Sequence, residues 1–217
     1  MALKYHSMMK KLALTASLLG MSVIAHADYF GAASGRSANP ANTPGVSVEG
    51  FASLGSDFRV IGARTNFNVN EKLTVYGDIG ITEVFLSDGL SFGGGVFYGL
   101  ESIGREGSFV ASLDVAIQGS LHIASLDFFG VDLDYSSFGV AALVSPKTPI
   151  NDSGLNWYAN AGLTRVSRDT GFFGRTLSSI EPQVGGGIHM PAGPGVFYAG
   201  GDIIDQVIAS AGYRFSF

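Results

Sequence analysis

Between Ser108 and Ala124 the chain changes character at every residue. Odd positions read Phe109, Ala111, Leu113, Val115, Ile117, Gly119, Leu121 and Ile123, almost all apolar. Even positions include Ser108, Ser112, Asp114, Gln118, Ser120 and His122. A period of two over 17 residues makes one wet and one dry face only in an extended strand, because successive side chains there point to opposite sides. The pattern recurs at 73–86, with Leu73, Val75, Ile79 and Ile81 against Thr74, Tyr76, Asp78 and Thr82, and at 155–166. It is less regular at 131–145, where a bulge near Ser136-Ser137 would switch the phase. Clusters of Gly, Asn, Asp, Ser and Pro separate ten such segments, at 46–54, 57–69, 73–86, 91–101, 108–124, 131–145, 155–166, 178–189, 195–201 and 206–217.

Alternation alone fits either a soluble sandwich, with the dry face inward, or a membrane barrel, with the dry face on lipid. Segments of ten or more residues exceed the usual five or six and match a tilted bilayer crossing. The polar faces carry charges among many Gly and Ser, as a narrow interior requires. Only 14% of residues are charged, and glycine is 31 of 217, twice its ordinary share. Beyond the N-terminus no apolar run is long enough for a membrane helix. The predicted fold is all-β, a closed antiparallel up-and-down transmembrane β-barrel of ten strands. Eight remain possible if 46–54 joins the preceding arm and 195–201 does not cross.

Residues 1–27 form an address. Lys10 and Lys11 precede the apolar run Leu12 to Ala25, and Ala25-His26-Ala27 is a small-x-small cleavage site. The initiator is Met1, Met8 or Met9. Residues 28–45, broken by Pro40 and Pro44, read as an irregular arm, and 46–217 as the barrel. The leader holds three of the 13 Lys+Arg and none of the 18 Asp+Glu, so the exported chain has ten bases against 18 acids. Such a chain is a poor nucleic-acid binder. The absence of cysteine excludes a disulfide scaffold and a thiol nucleophile.

The C-terminal strand puts Val207, Ala209, Ala211, Tyr213, Phe215 and Phe217 on one face. Aromatics at the final, third-last and fifth-last positions resemble the assembly signal of Gram-negative outer-membrane barrels. Over 46–217 the chain is similar to the small proteins of that group, the OmpA-like transmembrane domains and porin-like barrels. No periplasmic peptidoglycan-binding domain is expected after Phe217. The resemblance implies outer-membrane location, contact with lipid and lipopolysaccharide, and recognition by the barrel-assembly machinery through Tyr213, Phe215 and Phe217. A monomer is expected.

Ten strands leave a lumen nearly filled by side chains. Alternation points Arg64, Asp78, Asp114, Glu181 and Arg214 into it, as an ion-paired plug or a narrow, weakly cation-preferring channel. His122 and His189 are the histidines left after the leader. His122 lacks the His-x-Ser spacing of barrel lipases and deacylases, since Ala124 stands there, so no catalytic residues and no enzyme activity are expected. Gly93–Gly95 and Gly185–Gly187 lack the Gly-Lys-Ser/Thr of a phosphate loop. Asp127, Asp132 and Asp134, and Asp202 and Asp205, read as acidic outer loops rather than metal sites; no metal or cofactor is expected. Leu73–Thr82 echoes Leu155–Thr164, and the glycine triplets follow each copy, a four-strand period. The predicted outer loops are 54–57, 87–90, 125–130, 167–177 and 202–205. Arg165, Arg168, Phe172, Phe173 and Arg175 form the one basic-aromatic stretch suited to lipopolysaccharide phosphates. Three roles follow: a structural envelope barrel, a narrow solute channel, or a surface interaction protein acting through 165–176.

Overall fold

The computed structural model describes residues 35–40, 45–56, 58–84, 87–100, 112–128, 131–170, 175–204 and 206–217. The leader at 1–27 lies outside them. Ten strands form the wall: β1 (Val46–Leu54), β2 (Phe58–Asn70), β3 (Leu73–Val84), β4 (Ser87–Leu100), β5 (Leu113–Phe128), β6 (Val131–Pro146), β7 (Asn156–Thr170), β8 (Arg175–Ala192), β9 (Gly195–Ile203) and β10 (Val207–Ser216). Each pairs antiparallel with its chain neighbour, and β1 pairs with β10 to close the barrel. Closure leaves no unpaired edge. The nine-residue β9 crosses with the rest, which settles ten strands over eight.

Two expectations about the strands change. The β5–β6 and β6–β7 registers run unbroken past Ser136-Ser137, with Tyr135, Ser137, Gly139, Ala141 and Leu143 on one face throughout. The irregularity falls instead in β2, between Asn68 and Asn70. Strand pairing also extends into the expected outer loops: 87–90 belongs to β4, 125–128 to β5, and 167–170 and 175–177 to β7 and β8. Ser and Asp there follow the alternation, so paired backbone overrides their turn preference. At the opposite end Gly193, with φ of 59°, makes the tight β8–β9 turn.

The wall is inside-out relative to a soluble protein. Ile61, Ile81, Ile180 and Val207 are each more than 60% exposed, while Glu49, Arg64, Asn66, Thr74, Gln118 and Asn160 are buried in the lumen. In water this would waste most of the apolar surface. A bilayer requires this order, because lipid covers the apolar face and the interior satisfies the polar one.

The lumen is packed in three levels. Away from the termini, Phe58, Val60, Val84, Leu126, Tyr135 and Ile208 belong to one apolar cluster. Charged groups occupy the middle. At the terminal end Tyr76, Phe97, Ala116, Leu143 and Tyr158 pack with Ala38 of the arm.

Candidate functional site

The middle level is one cross-strand row. Arg214 of β10 lies opposite Glu49 of β1, Glu49 opposite Arg64 of β2, Arg64 opposite Asp78 of β3, Asp78 opposite Gly93 of β4, and Gly93 opposite His122 of β5. Directly opposed residues face the same side of a sheet at short range. Arg64 donates from Nε and Nη2 to Asp78 Oδ2, at 3.1 and 2.8 Å. Arg64 Nε lies 3.8 Å from Glu49 Oε1, and Arg214 Nη2 lies 3.2 Å from Glu49 Oε2. Asn66 Nδ2 donates to Glu49 Oε1 at 3.0 Å. Arg64 also stacks over Tyr76 at 4.4 Å.

Gly93 is the missing rung that lets His122 reach Asp78, with Nε2 and Oδ2 3.3 Å apart. A Cβ at Gly93 would stand 1.9 Å from His122 Cδ2 and 2.2 Å from Asp78 Oδ1. The same device recurs across β7–β8–β9. Asn160 lies opposite Gly185, and Gly185 opposite Asp202. Across that glycine Asn160 Nδ2 donates to Asp202 Oδ1 at 3.0 Å, and Gln183 Nε2 adds a 3.2 Å bond. A Cβ at Gly185 would stand 2.1 Å from Asp202 Oδ1. The third glycine of each triplet seats a tyrosine hydroxyl, Tyr76 at Gly95 and Tyr158 at Gly187. The internal echo is therefore a repeated packing unit: a tyrosine and a polar side chain on one strand, two vacated rungs on the next.

The arm enters this row from the terminal end. Asn68 Nδ2 donates to Pro40 O at 2.9 Å, and Ala38 N to Ser145 Oγ at 2.8 Å. Arg36 is 2% exposed, donates to Asn66 Oδ1, and stacks over Phe97 at 4.3 Å. Arg214 Nη2 donates to Gly35 O at 2.8 Å. Gly35 has φ of 58° and lies flat on Tyr198, whose ring a Cβ would meet at 2.6 Å.

The expected interior set divides. Arg64, Asp78 and Arg214 stand in the row. Asp114 shares their face but lies at the terminal end of β5, half-buried, opposite Ser145. Glu181 lies toward the far end of β8, half-buried, opposite Thr164. Neither touches the row, because alternation fixes the face and not the height. Glu49, Arg36, His122 and Asp202 take their places. Asp202, expected on an outer acidic loop, is 1% exposed and inside β9. Glu49 was findable from Ser47, Glu49, Phe51 and Ser53 alternating in β1; Arg36, in an arm without periodicity, was not.

The expected basic-aromatic loop is not one surface. Arg165 points outward from β7 and is exposed, whereas Arg168 points inward and is 7% exposed. Phe172 and Phe173 lie outside the described residues, as does the Arg175 side chain. Asp205 also lies outside them. His189 is half-buried within β8. Phe215 and Phe217 are exposed at the terminal rim, and Tyr213 donates to Ala192 O beneath them. Among the described residues no three His, Asp or Glu converge as a metal set.

The row and the arm form a buried, ion-paired charge network. Breaking one partner of such a network leaves an uncompensated charge, at a cost of about 3–5 kcal/mol.

No family model matches the chain, and no curated protein does. Solved structures similar to it include the β domain of the Bordetella autotransporter BrkA, at 13% identity over 81% of this chain and all of that one, with a TM-score of 0.46. LpxR from Salmonella typhimurium is 11% identical over 74% of this chain and 73% of that one, with a TM-score of 0.42. The KdgM porin is 8% identical over 79% and 99%, with a TM-score of 0.35.

Proposed function

We propose that this chain is a non-enzymatic structural barrel of the bacterial outer membrane, with a sealed lumen and an envelope-stabilising role. The observation that carries the reading is the continuous filling of the interior: apolar cluster, charged row, arm. The leader, the aromatic last strand and the apolar wall support the location, with both termini on the periplasmic side. His122 is tied to Asp78 in a closed interior, which supports a structural histidine over a catalytic one. The filled lumen fits an OmpA-like domain better than a porin-like one.

The narrow-channel alternative keeps the small charge bias expected of it. Among the described residues three carboxylates are buried, Glu49, Asp78 and Asp202, against four guanidiniums, Arg36, Arg64, Arg168 and Arg214. Asp114 and Glu181 face the same lumen half-buried, so its carboxylates number five against four guanidiniums among those residues, the same excess of one expected from the five named residues. The surface-loop alternative loses Arg168 to the lumen. The test is solute flux: liposomes carrying the folded protein should swell in small sugars no faster than empty ones. Swelling comparable to that given by an open porin would overturn the sealed reading.

A further inference from the structure

Closure removes strand edges only where neighbours overlap. β8 has 18 residues and β9 nine, and their pairing begins at Val184↔Ile203. Residues 176–182 of β8 therefore have β7 on one side and no described strand on the other. The bond from Phe217 N to Val46 O fixes which groups face that gap. Carried by register through β10 and β9, it turns the N–H and C=O of even-numbered β8 residues toward β9. Above the end of β9, Thr176, Ser178 and Ile180 hold both groups outward, without a partner among the described residues. Pro182 has no N–H to offer, and the β8–β9 ladder ends two residues short of it. Residues 176–180 are all exposed.

Two charges border this edge on the inward face. Arg168 of β7, opposite Leu177, is 7% exposed, and its Nε and Nη1 are buried with no hydrogen-bond partner. The buried Arg36, Arg64 and Arg214 each meet an oxygen of the protein. An unpaired buried charge is costly enough to call for a counter-charge. Leu177, between Arg168 and the gap, is 47% exposed. Glu181 stands on the same face four residues along β8, half-buried opposite Thr164.

Alternating donors and acceptors along a free edge are matched by another extended polypeptide. A strand laid beside β8 would turn one face inward, opposite Leu177, Ser179 and Glu181. Those positions carry no hydrogen bonds across the new pair, and side chains approach most closely there. A residue opposite Leu177 lies about 10 Å from Arg168, two strand spacings, within the joint reach of an arginine and a carboxylate. An acid fits there, and a base fits opposite Glu181. We infer that the outer end of β8 is a docking edge for an extended peptide segment of another protein at the cell surface. That segment adds antiparallel, the more stable pairing, and carries a base and, four residues later, an acid. The site rests on this end of the barrel facing outward and stands whether or not the lumen conducts.

The probe is a fluorescent ten-residue, threonine-rich peptide with Lys and, four residues later, Glu, titrated by anisotropy onto the full folded chain in neutral detergent. Folding of every variant is checked by heat-modifiable gel mobility. Binding should saturate. N-methylation of the residues alternating with the charged pair, whose N–H groups face β8, should abolish it, and N-methylation of the other set should not. Replacing the peptide's Glu by Gln should weaken binding about tenfold on the wild type and leave it unchanged on Arg168→Gln. Replacing its Lys by Gln should weaken binding on the wild type but not on Glu181→Gln. Absence of saturable binding to the wild type, indifference to which set is N-methylated, or a Glu preference that survives Arg168→Gln would each overturn the assignment. So would dimers of the barrel that the peptide fails to displace, which would give the edge to a second copy.

Discussion

Gly93→Ala adds one methyl group where the charged row has none to spare. The new Cβ would stand 1.9 Å from His122 Cδ2 and 2.2 Å from Asp78 Oδ1. Both neighbours are buried, at 1% and 9% exposure, so neither swings into open space. Either His122 leaves Asp78, or Asp78 moves off Arg64 and strands a buried guanidinium. The first loses one charge-assisted hydrogen bond, about 1.5–3 kcal/mol; the second costs about 3–5 kcal/mol. The expected destabilisation lies within that combined range. Gly77→Ala is the matched control. It faces the lipid, its Cβ would meet nothing nearer than Gly93 O at 3.8 Å, and alanine there should be neutral or stabilise by up to about 1 kcal/mol. The assay is equilibrium urea unfolding in lipid vesicles, followed by fluorescence of Trp157, the one tryptophan. His122→Ala combined with Gly93→Ala should recover part of the loss, because the shorter side chain removes the nearest clash. Gly93→Ala unfolding within about 0.5 kcal/mol of wild type, the scatter expected of an uninvolved site, would refute the missing-rung reasoning.

Asp78→Asn should cost about 3–5 kcal/mol by stranding Arg64, whereas Asp202→Asn, whose carboxylate meets two amides and no guanidinium among the described residues, should be neutral or mildly stabilising. The same unfolding assay reads both. Leu121→Arg, mid-strand on the lipid side, should cost about 2–4 kcal/mol in vesicles, and a loss no larger than that of Ser120→Ala on the lumen side would argue against a bilayer around the wall. Deleting Phe217, 81% exposed at the rim, should leave the purified barrel's unfolding nearly unchanged while lowering outer-membrane levels in fractionated cells. Normal surface levels would count against its role in assembly.

The wall was legible because strand alternation is a local signal that closure does not disturb. Ten strands, their order and their faces follow from it. The charged row was only partly legible. A row depends on height as well as face, and height is set by register, which the sequence states only indirectly. Asp114 and Glu181 are on the expected face at the wrong levels. Asp202 looked like a loop residue because Gly200-Gly201 precedes it and Asp205 follows, yet both glycines continue the strand, and Gly200 clears space for Tyr158. The offset repeat held more information than its use for counting strands drew out. It marks where a tyrosine and a polar side chain need two empty rungs beside them. The arm gave no signal, since its place in the lumen depends on single contacts from Arg36, Ser37 and Pro40 rather than on any period.

Single-channel recording of the purified protein in planar bilayers tests the sealed lumen most directly. The full-length barrel should show no stable open level. Removing residues 28–40 should add at most brief, small events, because the apolar cluster around Phe58, Leu126 and Ile208 still closes the far half. A large, long-lived conductance from the intact chain would contradict a filled interior, whatever its ion preference.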